Sequence, residues 1–225
     1  MGAFLDFDPL ASAYDSWFED KGRLIFETEV RAFEEVLSSL PTPWLEVGVG
    51  SGRFAQKLGI AMGIDPSVKL LEHARGRGIA VVLARGEDQV FKAGAFGTVF
   101  LIVTLCFVQS PLVVIQKAYR MLKPNGKMVL GLVLRDSPWG QFYLAKAREG
   151  HQFYGSATFY SYEEVSSLVS SAGLMVESAV STLFQKPGEV STIEEPQAGF
   201  SPEAGFTVLV CGRGTLRPEE ARPAV

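Results

Sequence analysis

The segment Glu46-Val47-Gly48-Val49-Gly50-Ser51-Gly52 sets three glycines at alternate positions, with an acidic residue two before the first. A glycine has no Cβ, so backbone N–H groups there can come close to a ligand. The run "WLEV" ahead of it is short and apolar, so the glycines fall at the carboxyl end of a strand. In an open α/β sheet that end is where ligands bind. A dinucleotide fingerprint would need its third glycine at position 53, but Arg53 stands there. A phosphate-binding P-loop is excluded, because no Gly-Lys-Ser/Thr follows. Asp65 ends the next apolar run, "AMGID", and Pro66 then suits the first turn of a helix. Aromatic residues gather near the start at Phe4, Phe7, Tyr14, Trp17 and Phe18. Such rings pack in a core, and their faces also stabilise a cation. Of the two histidines, His73 reads as surface, while His151 lies in a segment able to touch a substrate. Cys106 and Cys211 sit in apolar runs and read as small core residues. No Cys/His spacing points to zinc, so no metal site is expected, and two thiols make no disulfide framework.

These residues need a scaffold, and the apolar pattern supplies one. Phe26, Val30, Phe33, Leu37 and Leu40 recur at helical spacing, predicting a helix over 22–39. Strands are predicted at 44–47, 61–65, 79–84, 97–104 and 127–134, with helices between them. Ser110-Pro111 opens one helix, and "KPNG" at 123–126 closes it. Alternating strands and helices imply βαβ crossovers and a parallel sheet. The strands are apolar throughout, as strands covered on both faces are. Residues 135–160 show no period and read as a lid. Ser161-x-x-Glu164 is a capping box for a helix to Ala172. Two further strands, 174–184 and 205–211, should pair antiparallel at the sheet edge. The expected fold is a Rossmann-like, doubly wound α/β sheet of seven strands. It is mostly parallel with an antiparallel edge strand, and helices cover both faces. One domain should span 1–225, made of a helical cap at 1–40, a core at 44–134, the lid at 135–160, a C-terminal helix with edge strands at 161–212, and a frayed tail at 213–225.

Composition narrows the function classes. The chain has 225 residues, 47% of them hydrophobic and 20% charged, as expected for one globular domain. Its net charge of −4 offers no basic footprint for nucleic acid. Arg75, Arg77 and Arg85 are too few to change that and read as solvated charge. The most apolar stretch, Val99 to Val108, is too short to span a bilayer. No basic-then-apolar leader precedes the first helix. The expectation is a soluble cytoplasmic protein acting on a small molecule, of open oligomeric state.

The spacing Glu-x-Gly-x-Gly-x-Gly resembles motif I of the class I S-adenosylmethionine-dependent methyltransferases. The resemblance continues through "GIDPS", "ARGEDQVFKAGAFGTVF" and "MLKPNGKMVLG", and "YDSWF" is similar to the N-terminal cap of small-molecule members. Within the class the chain looks most like the ubiquinone/menaquinone-biosynthesis-type group. The resemblance implies S-adenosylmethionine as cofactor and S-adenosylhomocysteine as its product. It implies that Gly48, Gly50 and Gly52 line the methionyl portion, and that Glu46 holds the loop or the cofactor's amino group. Asp65, followed by Pro66, would accept the ribose hydroxyls. Gly86 and Glu87 would flank the adenine. Thr104 and Leu105 would face cofactor and substrate, and Tyr14 would reach over the methionyl end. Two positions depart from the family pattern. Arg85 replaces a common Asp, leaving adenine to Asp88 or to backbone. Cys106-Phe107 replaces a common His-His, so no general base stands there and no catalytic residue is assigned. Tyr14, His151 and Tyr160 could assist a proton transfer. The leading expectation is methyl transfer to a small organic acceptor. The alternatives are a catalytically silent cofactor-binding module and a nicotinamide-dependent oxidoreductase.

Overall fold

The computed structural model describes residues 7–214. The expected frayed tail lies almost wholly outside the described residues. Chain order is α1 (Ala11–Trp17), α2 (Arg23–Leu37), β1 (Trp44–Val47), α3 (Arg53–Leu58), β2 (Met62–Asp65), α4 (Val68–Gly76), β3 (Ala80–Leu83), β4 (Phe96–Ile102), α5 (Pro111–Met121), β5 (Leu122–Leu132), α6 (Pro138–Arg148), α7 (Tyr162–Ser171), β6 (Leu174–Thr182), β7 (Gln197–Ala198) and β8 (Phe206–Arg213). None of the described helices is long and apolar enough to cross a membrane.

The strands form one sheet in the order β3-β2-β1-β4-β5-β8-β6-β7. The first five are mutually parallel. β8 runs antiparallel between β5 and β6, and β7 pairs antiparallel with β6 at the edge. The sheet is therefore Rossmann-like and mostly parallel, with eight strands among the described residues rather than the seven expected. The added strand, Gln197–Ala198, is exposed. Only backbone pairing marks it, so no apolar pattern could reveal it.

Two apolar layers sandwich the sheet, and alternation along each strand decides which layer a side chain joins. Phe100, Val129, Phe206, Val208 and Val210 face α2, α3 and α6 through Phe33, Phe54 and Trp139. Val99, Leu101, Met128, Leu130 and Leu209 face α5 and α7 through Ile115, Met121, Val165 and Val169. Ser161 caps α7 with the expected reciprocal box, its Oγ accepting from the Glu164 N–H. The 135–160 segment is not the unstructured stretch its lack of period implied. It holds α6, opened by Ser137 accepting from Gly140 N–H with Pro138 in the first turn.

The order of strands reverses between β1 and β4. From β1 the chain crosses to β2 on one side, while β4 lies on the other. Such a switch point leaves a crevice outside the carboxyl ends of the two strands.

Candidate functional site

β1 ends at Val47, and the glycine loop begins in that crevice. Gly48 and Gly50 have φ of 76° and 52°, a region that strains other residues. The loop is anchored from below, where Ile64 O accepts from the N–H groups of Gly48 (2.8 Å) and Val49 (3.0 Å). Asp65 anchors it from the side. Its Oδ2 accepts from Gly50 N–H at 3.0 Å and its Oδ1 from Ser67 N–H at 2.8 Å. One carboxylate thus ties the glycine loop to the start of α4. Burial pushes Asp65 up to about 6, against the lowering effect of those two hydrogen bonds.

Beside this loop opens a crevice. Gly48, Gly50, Asp65, Pro66, Gly86, Glu87, Thr104 and Tyr14 line it, and Arg85, Leu70 and Phe107 are among the other residues of its wall. Eight of the residues expected from sequence therefore converge on one space. Tyr14 lies across the loop, its hydroxyl 3.9 Å from where a Cβ on Gly50 would stand. Burial raises its phenol far above the usual range. Thr104 turns its hydroxyl back to the carbonyls of Val47 (3.1 Å) and Ile102 (3.0 Å), bracing the ends of β1 and β4 together. A Cβ on Gly48 would collide with Thr104 Oγ1. Gly48→Ala is thus expected to cost about 1–3 kcal/mol of stability, read as a lowered thermal midpoint.

The other four expected residues stand elsewhere. A Cβ on Gly52 would stand 3.1 Å from Ala74 of α4, so this glycine lets the loop pass close to that helix. Glu46 is buried below the loop, where the Ala55 N–H reaches it and its Oε2 has no partner. Burial, reinforced by the nearby Asp65 charge, holds its carboxyl well above the usual range. Asp88 is exposed and accepts from Arg85 N–H at 2.9 Å, closing the turn after β3. Leu105 is fully buried in the layer facing α5, because the chain beyond β4 sends 104 and 105 to opposite sides. It does not line the crevice.

A second cavity adjoins the first. Phe7, Tyr14, Val103 and Phe107 line both. The second is walled by rings: Trp17, Phe18 and Phe54 from the cap and α3 side, and Tyr143, Phe153, Tyr154 and Phe159 from α6 and beyond. Cys106 lines it too, so it is not the plain core residue expected. Burial pushes its thiol up to about 12. His151 also reaches this space and stacks on Tyr154, with ring centroids 4.5 Å apart. Val103 carries φ of 49°, an uncommon conformation for a β-branched residue and one that gathers at functional sites.

Sequence reasoning missed two features here. Arg53 and Arg77 both clamp Asp15 of α1, with Oδ2 at 2.7 and 2.8 Å, so Arg77 is not mere solvated charge. Burial raises the Asp15 carboxyl, but the hydrogen bonds from Arg53 and Arg77 outweigh this and hold it below the usual range. The second is Glu29, a carboxyl on the inner face of α2 that lines the aromatic cavity. Its signal was present: it lies three residues after Phe26 and four before Phe33, on the apolar face.

Comparison with known proteins agrees with this geometry. A family model for the methyltransferase domain matches residues 45–130. An uncharacterized protein of Mycobacterium tuberculosis is 37% identical over 215 residues, which span 95% of this chain and 75% of that one. A Thermotoga maritima structure, described as a SAM-dependent methyltransferase and possible histamine N-methyltransferase, is 35% identical with a TM-score of 0.86. That match covers 92% of this chain and 98% of the other. Geranyl diphosphate C-methyltransferase from Streptomyces coelicolor, solved with S-adenosyl-L-homocysteine, shares the fold at a TM-score of 0.56 and 15% identity, over 80% of this chain and 78% of that one. By glycine loop, sheet order and relatives alike, this chain belongs to the class I S-adenosylmethionine-dependent methyltransferases.

Proposed function

We propose that the protein transfers a methyl group from S-adenosylmethionine to a small organic acceptor, with the cofactor in the glycine-loop crevice and the acceptor in the aromatic cavity. The observation that carries this reading is the pair of adjoining spaces. One has a glycine floor and a buried carboxylate, the other has ring walls, and they share Phe7, Tyr14, Val103 and Phe107. The residues fit the cofactor chemically. Gly48 and Gly50 leave room for the methionyl portion where a Cβ would intrude. Asp65 keeps lone pairs beyond those used by Gly50 and Ser67 and can accept ribose hydroxyls. Gly86 and Glu87 stand at the adenine end, where Glu87 Oε1 also accepts from Gln109 N–H (3.2 Å) and Ser110 N–H (3.3 Å) at the start of α5.

When bound, S-adenosylmethionine supplies an electrophilic methyl group on a sulfonium centre. The chain's own task is to orient the acceptor and keep water out. Phe7, Tyr14 and Phe107 line both spaces, with Phe7 packed edge to face against the other two, and aromatic rings beside a bound sulfonium would stabilise its charge. Isothermal titration should show binding of S-adenosylmethionine and S-adenosylhomocysteine in the micromolar range. No binding of either would overturn the reading.

A further inference from the structure

Glu29 is 7% exposed and stands in a space walled mostly by aromatic rings. Among the described residues, no hydrogen bond or ion pair reaches its carboxyl. No lysine or arginine lines the cavity. The one basic ring there, His151, stacks on Tyr154 and uses Nδ1 to accept from Phe153 N–H at 3.4 Å. A carboxyl buried without a partner is unfavourable, and leucine or glutamine would sit on that helix face at lower cost. Glu29 nevertheless lines the open space. A ligand bearing N–H donors would satisfy it, and the surrounding ring faces favour a cation over an anion or a neutral group.

Resting on the methyl-transfer reading above, we propose that the cavity takes a small organic amine and that Glu29 holds the amine nitrogen and receives its proton. The amine enters as an ammonium ion and pairs with the Glu29 carboxylate. One N–H proton passes to the carboxylate, leaving a neutral amine and a carboxylic acid. The freed nitrogen lone pair then forms the N–C bond as the C–S bond breaks, and that electron pair stays on sulfur. The product leaves as the methylated ammonium ion, and Glu29 gives up the received proton to water before it pairs with the next ammonium. Burial holds the empty Glu29 carboxyl up to about 8, so near neutrality it is a carboxylic acid that gives its proton to water as the ammonium ion pairs with it, and pairing strengthens as pH rises towards about 8.

The test is a titration of the full chain saturated with S-adenosylhomocysteine, so that no turnover is read. Saturation is checked first, and failure there would strike the methyl-transfer reading rather than this one. The probes are benzylamine, 2-phenylethylamine and tryptamine against the alcohols of matching shape. At about pH 8 the amines should bind about tenfold or more tightly than the alcohols. Glu29→Gln should erase that preference and leave the affinity for S-adenosylhomocysteine unchanged, which also shows that the variant folds. Equal binding of amines and alcohols by the unaltered protein would overturn the proposal. So would a preference that survives in Glu29→Gln, or an absence of amine binding across the panel.

Discussion

Asp65→Ala is expected to weaken S-adenosylhomocysteine binding by at least about tenfold, because the substitution removes the proposed ribose acceptor and the loop's brace together. The Asp65 carboxylate receives N–H groups from both Gly50 and Ser67, and it is 7% exposed. Alanine leaves both donors unmatched, at about 1–3 kcal/mol for each that stays buried. Asparagine offers one amide oxygen where two acceptors are needed, and its NH2 would face an N–H, so it should rescue little. Titration with the product checks the affinity, and a thermal melt checks the brace. Unchanged affinity in Asp65→Ala would remove Asp65 from the cofactor site. A pH effect accompanies it. Burial sets the Asp65 carboxyl up to about 6, and a protonated carboxyl is the poorer acceptor. Affinity for S-adenosylhomocysteine should therefore fall as pH drops below about 6.

The second large effect concerns stability. Burial lifts Glu29 to about 8, well above its usual 4.5. Between those values the folded chain keeps a proton that the unfolded chain has released. Stability from this group is fully present below about pH 4.5 and is lost as pH rises through about 8. Glu46 acts in the same direction, raised by burial and then by Asp65. Glu29→Gln removes the Glu29 share. The variant should match the parent at about pH 4 and exceed it by about 3–5 kcal/mol at about pH 9, measured by urea unfolding. An equal difference at both pH values would mean that Glu29 does not change charge in that window.

Much of the site could be read in advance because its parts are local. Three glycines after an apolar run, and a carboxylate ending the next, are near neighbours in the chain, and the parallel sheet brings them together at one switch point. Residues whose roles depend on distant partners were less visible. Arg77 looks solvated until α1 brings Asp15 to within 2.8 Å of it. Leu105 seemed a neighbour of Thr104, but alternation beyond β4 turns it into the opposite layer. Helix α6 was hidden because its rings Trp139, Phe142 and Tyr143 pack on one another and blur the helical period. Its start signal, Ser137-Pro138, nonetheless repeats the Ser110-Pro111 pattern of α5. Glu29 was overlooked because a search for an apolar stripe counts only apolar residues.

Phe7, Tyr14, Val103 and Phe107 belong to two spaces at once. A ligand that fixes these four from one side changes what the other side can bind. The two ligands are then thermodynamically linked, and linkage is reciprocal. Whatever factor S-adenosylhomocysteine imposes on the acceptor's dissociation constant, the acceptor must impose the same factor on S-adenosylhomocysteine. Measuring both corners of that cycle with the wall intact, and again with Phe107→Ala, would express the shared wall as a cooperativity constant.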